Sequence, residues 1–155
     1  MELKIAAKVD KVDRDYFAEH IMPLLSFPHV EYVGEINDSE KNEFLGRAAG
    51  LIFPIAWREP FGLAMIEAMA CGTPVIARAR GSVPEIIEHG VTGFIVNDID
   101  QAVKAVNKVS RLSRKQCRKQ FEERFTAARM ARDYVAVFEQ LIRDEPMAEF
   151  TASAA

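Results

Sequence analysis

The chain has 155 residues, of which 49% are hydrophobic and 28% are charged, as is usual for one folded globular domain. The 20 Lys and Arg against 23 Asp and Glu give a formal net charge of −3, which argues against nucleic acid or an anionic membrane as the main partner. The two cysteines lie far apart in the sequence, which argues against a disulfide framework and a zinc site. There is no signal core and no long apolar run, which argues against an integral membrane segment. We therefore expect a cytoplasmic protein.

Short apolar runs alternate with amphipathic segments along the first hundred residues. We predict strands at 3–9, 30–33, 51–55, 74–77 and 94–96, with helices at 16–25, 39–48, 61–70 and 83–88 between them. Strands that alternate with helices across short loops are typical of a parallel sheet covered by helices on both faces. The sequence therefore predicts an α/β fold with a doubly wound parallel sheet.

The part of the chain after Asp98 has a different pattern, because three helical stretches follow without a strand between them. These helices are predicted at 99–109, 115–124 and 127–142. Asp98 with Gln101, and Ser113 with Gln116, fit the spacing of an N-cap and its partner three residues on. We expect both caps to form.

The segment 57–73 holds the residues in which chemistry is expected. From Phe61 to Cys71 every residue except Glu67 is apolar or glycine, so we predict a helix that is buried on all sides. A buried carboxylate is costly unless donors reach it, and a ligand rich in hydroxyl groups would supply them. The alternative is a Glu67 that lies on a solvated stripe or pairs with a distant Arg.

Glu59 lies eight residues before Glu67, in a loop that leads into this helix through Pro60 and Gly62. The helix start is expected to present free amides and the positive end of the helix dipole, which together bind anions. These amides are those of Phe61, Gly62, Leu63 and Ala64. The loop follows a strand, where ligands bind in open parallel sheets. The alternative is an ordinary glycine-containing turn.

A second loop, 80–85, also leads from a strand into a helix, and we expect its Gly81 near the same crevice. Ser82 and Glu85 fit a capping box, which accounts for both residues without a ligand. No metal site is predicted, because the three histidines are scattered without acidic or cysteine partners nearby. The four basic residues between 111 and 118 are expected to form a solvated helix face.

The nineteen residues from Glu59 to Ala77, EPFGLAMIEAMACGTPVIA, resemble the two-glutamate motif of the group 1 retaining glycosyltransferases with the GT-B fold. The resemblance continues through 81–85 and 88–94 and includes 30–34 upstream. It implies the Rossmann-like, nucleotide-sugar-binding half of a two-domain GT-B enzyme, with extra C-terminal helices.

The resemblance also implies a role for each site residue by position. It makes Glu59 the catalytic residue that contacts the donor sugar, and it makes Glu67 the residue that holds the ribose hydroxyls. The loop around Ile36 would meet the base, and the amides of Phe61, Gly62, Leu63 and Ala64 would meet the diphosphate and the sugar. Such enzymes transfer a hexosyl group from a nucleotide-diphosphate donor with retention of configuration, and they need no metal or other cofactor.

The family's domain normally begins with one more strand and helix, whose Arg and Lys grip the diphosphate, whereas this chain starts at the following strand. We therefore expect an N-terminally truncated donor-binding domain at 1–143 and a flexible tail at 144–155. Because the N-terminal acceptor domain is missing, the isolated chain is expected to be inactive and to self-associate. The surface expected to be exposed includes Tyr134, Val137, Phe138 and Leu141. The alternative is a noncatalytic nucleotide-binding or protein-interaction module of the same fold.

Overall fold

A computed structural model describes residues 1–144 of the protein. These residues form two compact units, Met1–Arg47 and a second unit that begins at Ala48. The predicted tail falls outside the described residues except for Asp144, which ends the last helix. Within 1–144, no helix is both long and apolar enough to cross a membrane.

The first unit contains two parallel strands, β1 (Leu3–Ala6) and β2 (Val30–Gly34), with Leu3 opposite Val30. The single helix predicted at 16–25 is instead a series of short turns: a 3-10 turn at Lys11–Asp13, α1 (Arg14–Tyr16), a π-helical turn at Phe17–Ile21 and a 3-10 helix at Met22–Ser26. Pro23 explains the difference, since it has no N–H to continue an α-helical ladder. The predicted helix after β2 is confirmed as α2 (Asp38–Arg47).

The second unit contains a parallel sheet in the order β3 (Leu51–Phe53), β4 (Val75–Arg78) and β5 (Gly93–Val96). Its helices are α3 (Leu63–Ala70), α4 (Val83–Ile86), α5 (Ile99–Val106), α6 (Arg114–Arg124) and α7 (Ala127–Asp144), with a 3-10 turn at Val109–Arg111 before α6. Parallel strands with flanking helices in both units confirm the predicted α/β fold.

The core of the second unit lies around its central strand β4. Val75 and Ile76 are no more than 2% exposed, as are Met65 and Met69 on the inner face of α3. Ile76 also belongs to a cluster with residues of β5 and α5. β4 is an apolar run because both of its faces are covered.

Both predicted N-caps after β5 are confirmed. Asp98 Oδ1 accepts a hydrogen bond from the N–H of Gln101 at 2.8 Å, and Ser113 Oγ accepts one from the N–H of Gln116 at 3.3 Å. These bonds satisfy amides that have no partner within α5 or α6. They fix where each helix begins.

The four basic residues at 111–118 are all exposed, as predicted for a solvated face, and two of them also bond to distant residues. Arg114 donates to Ala48 O at 2.6 Å and Cys71 O at 3.2 Å, and it also donates to Thr73 Oγ1 at 2.9 Å. Arg118 donates to Ala70 O at 2.5 Å. Cations are favourable at the carbonyl end of a helix, so α6 is joined to the end of α3.

Candidate functional site

The residues predicted to carry chemistry lie between β3 and α3. The helix begins at Leu63 and not at Phe61, because Gly62 has the left-handed angle φ +82° and ends the loop. A Cβ at Gly62 would collide with the side chain of Met65 and would lie 3.2 Å from Ile86 Cδ1. Position 62 therefore requires glycine because of its backbone conformation, whereas the ends of the Met65 and Ile86 side chains could shift to make space.

The Glu59 side chain caps the entry to α3. Its Oε1 accepts a hydrogen bond from the N–H of Gly62 at 2.8 Å, and its Oε2 accepts one from the indole N–H of Trp57 at 3.1 Å. Negative charge is favourable at this place, since the start of a helix carries partial positive charge. The amide of Gly62, predicted to be free, is therefore occupied by Glu59.

The remaining predicted amides are available. Within residues 1–144, the N–H groups of Phe61, Leu63 and Ala64 have no hydrogen-bond acceptor, whereas the N–H of Met65 bonds to Gly62 O at 3.0 Å. Leu63 and Ala64 are the first two residues of α3, so their amides point out of the helix start. An oxyanion at this position would have two backbone donors.

The α3 helix is not buried on all sides, and that prediction is wrong. Only one face packs against the unit, while Leu63 is 63% exposed and Glu67 is half-buried. The error arises because the open stripe contains apolar Leu63, so composition alone could not reveal it. Residues four apart share a helix face, which places Glu67 one turn from the free amides.

The loop 80–85 contacts the backbone of the loop that carries Glu59. The N–H of Ser82 donates to Glu59 O at 2.8 Å. Gly81, with φ +53°, packs so closely that a Cβ there would lie 2.5 Å from Glu59 N and 2.9 Å from Arg58 C. Gly81 therefore lies beside the loop that carries Glu59, as predicted, and its small size permits this approach.

The predicted capping box of this loop does not form. Ser82 has helical angles of φ −71° and ψ −10°, whereas an N-cap residue is normally extended. Ser82 Oγ is buried, and it has no hydrogen-bond partner in the described part of the chain. The Ser82 to Glu85 spacing was therefore misleading.

Ile36 belongs to the unit 1–47, whereas the other predicted site residues belong to the second unit. It is half-buried and lies between β2 and α2. The next residue, Asn37, caps α2: its Oδ1 accepts hydrogen bonds from Ser39 N at 3.0 Å and from Glu40 N at 3.2 Å. The loop that carries Ile36 is thus held at its helical end.

The contribution of Trp57 to the site was not predicted from the sequence. The side chain is 63% exposed, and it fixes the second oxygen of the Glu59 carboxylate. Trp57 lies at a bend in the loop after β3, so no strand or helix period relates it to Glu59 in the sequence. No group of three or more potential ligand side chains is placed to hold a metal ion in residues 1–144.

An apolar groove lies next to Phe61. It has a volume of about 390 Å³ and is lined by Phe61, Phe125, Met130, Tyr134 and Val137, among others. The four residues expected to be exposed on the last helix are between 53% and 59% exposed, which confirms that expectation. The α7 helix thus presents an apolar face to solvent.

Comparison with known proteins identifies one family and several relatives. The family described as glycosyl transferases group 1 matches residues 9–128. The N-acetyl-alpha-D-glucosaminyl L-malate synthase of Bacillus anthracis is 32% identical over 103 residues, which are 61% of this chain and 27% of that protein. The D-inositol 3-phosphate glycosyltransferase of Mycobacterium bovis is 41% identical over 70 residues, which are 44% of this chain and 15% of that protein.

Solved structures share the fold. The sucrose-phosphate synthase from Thermosynechococcus elongatus has a TM-score of 0.77 and 25% identity, and the match covers 93% of this chain and 39% of that one. HepE of Anabaena, solved in complex with UDP and glucose, has a TM-score of 0.73 and 20% identity, over 90% of this chain and 40% of that one. This chain therefore spans about two fifths of those structures.

Proposed function

The chain belongs to the group 1 glycosyl transferases, and we propose that it is the donor-binding part of a retaining enzyme that transfers a hexosyl group from a nucleotide-diphosphate sugar. The observation that carries the proposal is the start of α3. There a motif of the family coincides with two open amides, a required glycine and a fixed carboxylate.

In this proposal the amides of Leu63 and Ala64 bind the diphosphate of the donor. Phosphate oxygens accept backbone N–H bonds, and the α3 dipole offsets part of their charge. The backbone thus performs work that a metal ion does in other transferases, and we propose that no metal or other cofactor is needed. The loop that carries Ile36 would meet the base.

The two glutamates have different proposed roles. Glu67 accepts hydrogen bonds from two adjacent ribose hydroxyls, since it lies one helical turn from the amides that bind the diphosphate. Glu59 is proposed as the catalytic residue, whose carboxylate contacts the donor sugar while charge develops at the anomeric carbon. The bond from Trp57 holds that carboxylate in a fixed orientation.

All of these proposed contacts are to the donor. Transfer requires the acceptor to be held against the donor as well, and a separate acceptor domain would do this. We therefore propose that the isolated chain binds nucleoside diphosphates weakly and transfers no sugar. Its exposed α7 face would then drive self-association, which light scattering over a concentration series measures.

A second candidate is a noncatalytic nucleotide-binding or protein-interaction module. It is favoured by one observation: Glu59 caps α3 in this structure, a stabilising use that involves no chemistry. The two candidates differ in a complete protein containing this domain. There Glu59→Gln lowers turnover more than donor affinity if the domain is catalytic, whereas a module shows no turnover to lower.

Calorimetry of the chain with UDP, ADP and GDP tests the proposed function. We expect weak binding of at least one nucleotide, and about tenfold weaker binding by Glu67→Gln, because a hydrogen bond to a charged group contributes roughly 1.5 to 3 kcal/mol. Glu139→Gln on exposed α7 changes the net charge equally and is the matched control. The assignment of the ribose site is wrong if Glu67→Gln lowers thermal stability but leaves nucleotide affinity unchanged.

A further inference from the structure

The Glu59 carboxylate lies where it can accept hydrogen bonds from one part of a bound nucleotide sugar and repel the charge of another. Its Oε1 is bonded to Gly62 N at 2.8 Å, and the open amides of Leu63 and Ala64 follow directly along the chain. An anion on those amides would therefore lie next to a carboxylate that is already fixed there. A carboxylate only accepts hydrogen bonds, so its effect depends on what the ligand presents to it.

A nucleotide sugar and a nucleoside diphosphate present different groups at this point. The sugar offers hydroxyl donors, which a carboxylate accepts favourably. After transfer, the bond between the sugar and the terminal phosphate is broken, and that phosphate gains a second ionisable oxygen with a pKa of about 6. The nucleoside diphosphate thus brings more negative charge and no hydroxyl donor to the carboxylate.

We propose that Glu59 makes the site distinguish the nucleotide sugar from the spent nucleoside diphosphate, which it expels by charge repulsion. This inference rests on the proposed function, since it assumes that the diphosphate lies on the amides of α3. The half-buried position of Glu59 strengthens the repulsion, because solvent screens it less than it would on an open surface.

Trp57 is the positioning residue in this arrangement. Its indole N–H holds Oε2 at 3.1 Å while Gly62 holds Oε1, so the carboxylate cannot turn away from an incoming phosphate without losing a hydrogen bond. The N–H of Ser82 also bonds to the backbone oxygen of Glu59, and Gly81 packs closely against the same backbone. A carboxylate that is held in place stays close to the phosphate and repels it, whereas a mobile carboxylate would move away and repel it less.

The test compares UDP with UDP-glucose as probes, by calorimetry on the chain and on Glu59→Gln. The glutamine keeps an oxygen that can accept the Gly62 N–H, so the cap persists while the charge is lost. We expect Glu59→Gln to bind UDP about fivefold tighter and to bind UDP-glucose no tighter than the unchanged chain. High salt is expected to narrow the difference in UDP affinity between the unchanged chain and Glu59→Gln, because it screens the repulsion in the unchanged chain.

Two further variants keep the test decisive. Trp57→Phe leaves the charge but releases the carboxylate, and it is expected to tighten UDP binding by about twofold, which tests the inference even if Glu59→Gln does not fold. Glu139→Gln on α7 is the control for net charge and is expected to leave both affinities unchanged.

The outcomes separate this inference from the proposed function. Suppose that the unchanged chain binds UDP, or binds ADP or GDP when these and their nucleotide sugars are the probes. If Glu59→Gln and Trp57→Phe then leave the ratio of the affinities for the nucleoside diphosphate and the nucleotide sugar unchanged, this inference is overturned while the proposed function stands. It is also overturned if Glu139→Gln shifts the ratio as much as Glu59→Gln does. If no nucleotide binds the unchanged chain, the proposed function fails as well.

Discussion

The two units of the chain differ in how completely their sheets are covered. In the second unit, β4 has a parallel partner on each side, and Val75 and Ile76 are no more than 2% exposed. In the unit 1–47, β1 and β2 pair only with each other, and Leu45 is its single buried hydrophobic side chain. Three strands with packed helices form a stable core, whereas a two-stranded ladder buries too little apolar surface to do so alone.

This difference bears on function, because Glu59 and Glu67 both lie in the unit with the larger core. Their loop and helix are fixed by Gly62, by Gly81 and by the contact of Arg114 with the end of α3. A site that must hold a ligand in one geometry benefits from such support. The residue proposed to meet the base, Ile36, lies in the unit that has little core of its own.

The largest expected effect is a difference in amide hydrogen exchange between the two sheets. The amides of β4 are expected to exchange only through unfolding of their whole unit, whereas those of β1 and β2 exchange through local opening. We expect protection to differ by about 3 kcal/mol or more, which is on the order of a hundredfold in rate. Equal protection in β2 and β4 would contradict the comparison and indicate one cooperative unit.

A smaller effect is expected on stability when one basic side chain is removed from each unit. Arg114→Ala removes bonds to Ala48 O, Cys71 O and Thr73 Oγ1, and we expect a loss of about 2 to 3 kcal/mol in the free energy of unfolding, measured with urea. Lys4 forms an exposed ion pair with Glu31 at 2.7 Å, and Lys4→Ala is expected to leave stability unchanged. A larger loss of unfolding free energy in Lys4→Ala than in Arg114→Ala would contradict the comparison of the two units.

The smallest expected effect concerns Cys117 on α6, which is fully buried. Burial raises the pKa of its thiol above the ordinary value of 9.0, against the opposing influence of Arg114. The folded chain then keeps a proton that the unfolded chain releases, so this contribution to stability is lost as the pH rises above about 9. Between pH 8 and pH 10 the unchanged chain is expected to lose more stability than Cys117→Ser, with Cys71→Ser as the matched control.

The sequence was sufficient to predict the alternation of strands and helices, because that pattern is local and repeats at a regular period. It also placed Glu59 and Glu67 on either side of a helix start. The support of Glu59 was harder to predict. Trp57 lies at a bend in a loop that has no periodic signal, and Arg114 bonds to residues 41 to 66 positions away. Such contacts depend on packing between distant segments, which a single sequence does not display.

The central claim is that the start of α3 binds the diphosphate of a donor nucleotide. The most direct test is to titrate the isotope-labelled chain with UDP, or with ADP or GDP if UDP does not bind, and to follow every backbone amide by NMR. We predict that the largest shifts fall on the amides of Leu63 and Ala64, since these are the open donors of the helix. The claim is contradicted if a nucleotide binds while these two amides stay unchanged and the shifts fall instead on the groove between Phe125 and Val137.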